Sequence, residues 1–204
     1  MSIYQLKTAF QNRLRPLCKS MADKGITANQ VTIAAIILSA VAGLFIALNP
    51  TSRWPLLILP LVLFIRMGLN AIDGMLAREH NMKSSLGAIL NELGDVVSDT
   101  ILYLPLAFVP LINPYLMIAI VIVALLTEMM GVIGIQIGAS RRYDGPMGKS
   151  DRAFALGAVG FFIGLGWLTS AMFINGLLAI VLILTIATVI NRARKALDEI
   201  SHVQ

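Results

Sequence analysis

The chain has 204 residues, of which 57% are hydrophobic and 13% charged, with a formal net charge of +5. That balance excludes an ordinary soluble domain, and several apolar stretches reach the ~20 residues that cross a ~30 Å hydrocarbon core. A single cysteine, Cys18, excludes an internal disulfide framework, and the basic residues flank apolar segments, where they report membrane orientation rather than nucleic-acid binding.

The first segment, residues 1–24, has Ile3, Leu6, Phe10, Leu14, Leu17 and Met21 at helical spacing, with Lys7, Arg13, Arg15 and Lys19 on other faces. It reads as an amphipathic helix lying on the membrane surface, with room for a bend at Pro16. No long apolar run precedes a small-residue cleavage site, so a signal peptide is not expected. Gly25 closes the segment and Thr27–Gln30 opens the next with cap-type residues.

The remainder, residues 25–204, reads as one all-α transmembrane domain. Its six crossings fall at about 31–48, 55–78, 86–109, 115–139, 153–169 and 173–190. Trp54 is an interfacial anchor in this scheme. Six crossings put both termini on one side. The basic residues from Lys7 to Lys24, Arg78, Lys83, Arg141 to Arg152 and Arg192 to Lys195 share that side, whereas Arg53 lies opposite and Arg66 within the membrane. The positive-inside rule therefore places the termini, the link after Arg78 and the basic loop in the cytoplasm.

The polar groups at membrane depth concentrate in the second and third crossings, and such groups mark a functional site by default. At a hundred degrees per residue, Arg66, Asn70, Asp73 and Ala77 share one narrow helix face. On the next helix Asn91, Glu92, Asp95 and Asp99 fall within about a quarter turn. A short polar link makes the two helices antiparallel neighbours, so two oxygen-rich faces can line one cleft. Carboxylate and amide oxygens suit Mg²⁺ or Mn²⁺. Gly74, Ala77 and Gly87 leave room for close backbone approach or a flat ligand. Arg66 needs a buried partner, for which Asp99 or Glu128 would serve.

The run Asn70, Asp73, Gly74, Ala77, Arg78, Gly87, Asn91, Asp95 resembles the signature of the CDP-alcohol phosphatidyltransferase family, D-x2-D-G-x2-A-R-x8-G-x3-D-x3-D. The spacing matches throughout, and Asn70 and Asn91 stand where that family has its first and third aspartates. The chain is similar in length and helix count to the family, most of all to its bacterial YnbA-like branch. The resemblance implies an integral inner-membrane transferase of phospholipid biosynthesis, with its active site on the cytoplasmic side. Such an enzyme moves a phosphate-linked group from a CDP-alcohol to an acceptor alcohol, one of the two being a lipid, and releases CMP. It further implies one or two Mg²⁺ or Mn²⁺ ions, with Asp73 and Asp95 as ligands helped by Asn70, Asn91, Glu92 and Asp99, and with Asp95 as general base. Asn70, Gly74, Ala77, Arg78 and Gly87 would face the nucleotide. Lys149 and Arg152, with Arg141 and Arg66, would face a phosphate of the acceptor. A homodimer is the expected assembly.

Two readings from other classes compete: a small ion-coupled transporter using the intramembrane acids, and an inactive relative that only binds nucleotide or lipid. Against the transporter, the chain has no obvious inverted repeat and its acids cluster toward one end of the helices. Gly145 and Gly148 do not have phosphate-loop spacing. His80 and His202 read as solvated, and the ten methionines as packing.

Overall fold

The computed structural model describes residues 3–201, with side chains from residue 9 onward; the side chains of Ile3, Leu6 and Lys7, and all of His202, lie outside the described residues. The described chain is helical throughout: α1 (Ile3–Asp23), α2 (Ala28–Leu48), α3 (Trp54–Glu79), α4 (Ser85–Tyr103), a 3-10 turn (Leu104–Phe108), α5 (Pro114–Gln136), α6 (Lys149–Gly164) and α7 (Ala171–Ser201).

Local chemistry sets these boundaries. α1 continues through Pro16 and ends at Gly25, whose φ of +75° suits a residue without a Cβ. α2 then opens with a capping box: Gln30 N–H donates to Thr27 Oγ1 at 3.3 Å and Thr27 N–H donates to Gln30 Oε1 at 2.9 Å. Ser84 caps α4 by accepting from Gly87 N–H at 2.9 Å. Asn113 caps α5 through Tyr115 and Leu116, and its own N–H is taken by Asn175 of α7 at 2.7 Å.

Among the boundaries that differ from the sequence reading, three have a clear local cause. The third segment stops being α-helical at Tyr103, because Pro105 enters there and the chain tightens into the 3-10 turn. α6 begins at Lys149, four residues early, since Asp151 reaches back to accept the Gly148 N–H at 2.9 Å and closes the first turn. Arg152 therefore lies inside a helix rather than in the loop. α7 runs on to Ser201, because nothing between Asn191 and Ser201 breaks a helix.

Among the described residues, four helices (α2, α3, α5 and α7) are long and apolar enough to cross a membrane, which supports an integral membrane protein. α6 has only 16 residues, and α4 carries three acids within 19.

The chain divides into two compact units, residues 1–41 with 61–98, and residues 42–60 with 99–204. In the first, Cys18, Ala28, Val31, Ile72, Met75 and Leu76 form a buried core surrounded by Leu14, Met21, Ile26, Leu69 and Ala77. This core docks α1 against α2 and α3. Arg15 adds a bidentate pair to Glu79, with both nitrogens 3.0 Å from a carboxylate oxygen. In the second unit, α5 and α7 form the principal packing, around Met117, Ile120, Ile174 and Leu178.

Candidate functional site

The signature residues Asn70, Asp73 and Asp95 all lie in the first unit, on α3 and α4. Asp73 is 5% exposed. Its Oδ2 lies 2.8 Å from the hydroxyl of Thr32, on α2, and that hydroxyl is also 3.1 Å from the Ala28 carbonyl oxygen. The charged acceptor is the stronger one and takes the single proton. One turn earlier on α3, Asn70 Nδ2 donates to Asp95 Oδ1 at 3.0 Å. One further turn back, the buried Arg66 donates through Nη2 to the Asp95 carbonyl oxygen at 3.3 Å. The structure thus brings Arg66, Asn70 and Asp95 together, as two successive turns of α3 touch one residue of α4.

The small residues of the signature lie on the same two helices. A Cβ at Gly74 would sit 3.1 Å from both terminal nitrogens of Arg78, so that guanidinium folds back across the glycine. A Cβ at Gly87 would meet Asn29 Oδ1 at 2.8 Å, which lets α2 and α4 approach closely. Ala77 packs against the Cys18 core. Asn91 is exposed and Glu92 half-buried.

Asp99 belongs to the second unit, where its Oδ2 is 3.6 Å from Arg152 Nη2. The same nitrogen donates to Glu128 Oε1 at 3.0 Å, while Arg152 Nη1 donates to Thr127 Oγ1 at 2.9 Å and to the Met147 carbonyl at 3.2 Å. Glu128 Oε2 is also 3.6 Å from Arg192 and 3.7 Å from Arg141. Three arginines thus converge on Glu128, all within the second unit. Arg141 also covers the ring of Tyr143 at 5.0 Å, and Lys149 is half-buried on the first turn of α6.

In the adjoining loop Asp144 is 2.7 Å from Arg142 and 2.9 Å from Lys195, and Arg142 also pairs with Glu199. Burial alone would push the Asp144 carboxyl up. The hydrogen bonds from Lys195 and Arg142 outweigh it and hold the group below the usual carboxylate range.

Among the described residues, no three His, Cys, Asp or Glu side chains gather closely enough to hold a metal by themselves. The donor set of the first unit nonetheless fits a hard divalent ion. Mg²⁺ is commonly held by one or two carboxylates together with substrate phosphates, not by an all-protein cage. Asp73 and Asp95 are the carboxylates of this unit that could serve such an ion, with substrate oxygens completing its shell.

Sequence reasoning missed Thr32 and Asn29. The available signal was two polar side chains, three residues apart, near the start of a largely apolar helix.

The chain is similar to known proteins in sequence and in fold. Inner membrane protein YnbA of Escherichia coli (strain K12) is 45% identical over 201 residues, covering 97% of each chain. Crystal structures of Mycobacterium tuberculosis phosphatidylinositol phosphate synthase share the fold. The form with CDP-DAG bound gives a TM-score of 0.74 at 16% identity, covering 89% of this chain and 92% of that one. The form in complex with manganese and citrate gives 0.73 at 16% identity, covering 89% of this chain and 87% of the other. The family model for CDP-alcohol phosphatidyltransferases matches residues 25–191, and the chain belongs to that family.

Proposed function

We propose that this protein transfers a phosphate-linked group from a CDP-alcohol to an acceptor alcohol, with one partner a lipid, and releases CMP. The observation that carries the reading is the Asn70–Asp95 hydrogen bond, which joins the two halves of the signature in one compact unit. The acceptor hydroxyl oxygen bonds to the distal phosphorus of the CDP-alcohol. The pyrophosphate P–O bond breaks, CMP leaves with the electron pair, and Asp95 takes the acceptor's proton. Asp73, bonded by Thr32, and Asp95 would hold the divalent ion. When bound, Mg²⁺ or Mn²⁺ neutralises the diphosphate and the charge that develops on the leaving oxygen. Gly74, covered by the Arg78 guanidinium, would open to the cytidine as Arg78 turns to the phosphates, while Ala77 packs against the Cys18 core and Gly87 against Asn29.

Six crossings, with α1 on the inner surface and both termini cytoplasmic, would open this site to cytoplasmic nucleotides. The basic residues at the terminal ends of the apolar segments support that orientation. The CDP-DAG-bound structural neighbour supports a lipid-linked donor, and the manganese complex supports a divalent ion. A homodimer remains part of the proposal.

The test is purified protein incubated with a panel of CDP-donors and alcohols and scored for CMP, with Mg²⁺, with Mn²⁺ and with EDTA. Divalent-dependent CMP release from at least one pair is expected. Ion or proton flux in proteoliposomes without CMP release would replace the enzyme with a transporter.

A further inference from the structure

Position 70 lies one turn before Asp73 on α3, where an oxygen could serve as a further ligand to the ion. The structure gives it different work. Asn70 faces Asp95 Oδ1 at 3.0 Å, and an amide can face a carboxylate oxygen favourably only through its NH₂. A carboxylate at 70 would instead place two like charges at hydrogen-bond distance, which only a bridging cation could relieve. No third acid gathers with these residues among those described. The two carboxylates carry a formal charge of −2, which one divalent ion matches.

We propose that Asn70 is a positioning residue that fixes the Asp95 carboxylate through its amide N–H, rather than a metal ligand, and that the chain therefore saturates at one divalent ion. This rests on the transferase reading above. With its NH₂ on Asp95 Oδ1, the amide sets the rotation of that carboxylate toward the acceptor hydroxyl. Its loss would disturb proton removal and leave ion binding in place.

The test is Mn²⁺ binding to the full chain in detergent, followed by the free-Mn²⁺ resonance signal, together with CMP formation. Wild type should bind one Mn²⁺ per chain. Asn70→Ala should keep that ion within about threefold in affinity, yet lose about tenfold or more in kcat with little change in donor KM. Asn70→Ser, checked beside it for monodisperse elution, retains a short donor and should recover part of the loss. Asn70→Asp should raise the stoichiometry to two. Two Mn²⁺ ions on wild type, or a more than tenfold loss of Mn²⁺ affinity in Asn70→Ala, would overturn the inference and leave the transferase reading standing. Asp73→Asn separates the two: if wild type binds no Mn²⁺ that this substitution removes, the metal-dependent reading itself fails, and the assignment of Asn70 with it.

Discussion

The two compact units bring different donors to their acids. In the first, the bonds from Thr32 and Asn70 onto Asp73 and Asp95 come from a hydroxyl and an amide, donors that orient a carboxylate and leave its charge in place. In the second, Glu128 and Asp99 are met by guanidiniums, with Arg152 reaching both and Arg192 and Arg141 reaching Glu128. A carboxylate held by neutral donors can still meet a cation or accept a proton. One gripped by arginines acts as a strut. On the proposed function, the difference separates a site from a scaffold within a single membrane chain, although both look alike as intramembrane acids.

The sharpest way to break this comparison is to remove one acid of each kind. Asp95→Asn should lower CMP formation by about three orders of magnitude, within the range for general-base loss. Its thermal unfolding should stay close to wild type; a large fall in stability would mean that Asp95 is a strut after all. Glu128→Ala should do the reverse, because three arginines lose their shared counter-charge. Breaking a buried pair from one side costs about 3–5 kcal/mol, read as a lower unfolding midpoint in detergent. Should Glu128→Ala leave stability unchanged and abolish CMP release instead, the scaffold assignment would be reversed.

Thr32→Ala sharpens the contrast at intermediate size. A hydrogen bond to a charged group is worth about 1.5–3 kcal/mol, so a tenfold to hundredfold loss of rate is expected with the fold retained. A rate within twofold of wild type would show that Thr32 does not orient Asp73. The smallest effects belong to charges near water. Arg15→Ala removes an exposed pair with Glu79 and should leave the unfolding midpoint unmoved. Asp144 has its carboxyl held below the ordinary range, so its stabilising share is complete above the unfolded value and disappears as pH falls through the lower folded one. Acid titration of unfolding should therefore separate wild type from Asp144→Asn at neutral pH and merge the two in strong acid.

Much of the site was legible because the helical repeat is strict. The spacing of Arg66, Asn70 and Asp73 predicts one face, and two turns of that face do meet Asp95. The nature of the contact was not legible, since spacing places Asn70 near Asp95 without saying which end of an amide turns inward. Thr32 escaped for a related reason: it is one of two hydroxyls, with Ser39, in 21 residues of largely apolar helix, and its role exists only once α2 packs beside α3. The partners of Glu128 were hidden because Arg141, Arg152 and Arg192 lie 13, 24 and 64 residues further on, beyond the reach of local pattern. Helix ends were misplaced where a single side chain decided them, as Asp151 does for α6.

The length of α7 has a mechanical consequence. Its 31 residues extend about 46 Å at 1.5 Å per residue, well beyond a ~30 Å hydrocarbon slab. Its final turns carry Arg192, Lys195 and Glu199, which fasten the segment from Ser140 to Asp144. That segment is thus moored to a rigid post that overshoots the lipid, so swapping short-chain for long-chain phospholipids should leave its bearings on the helix unaltered.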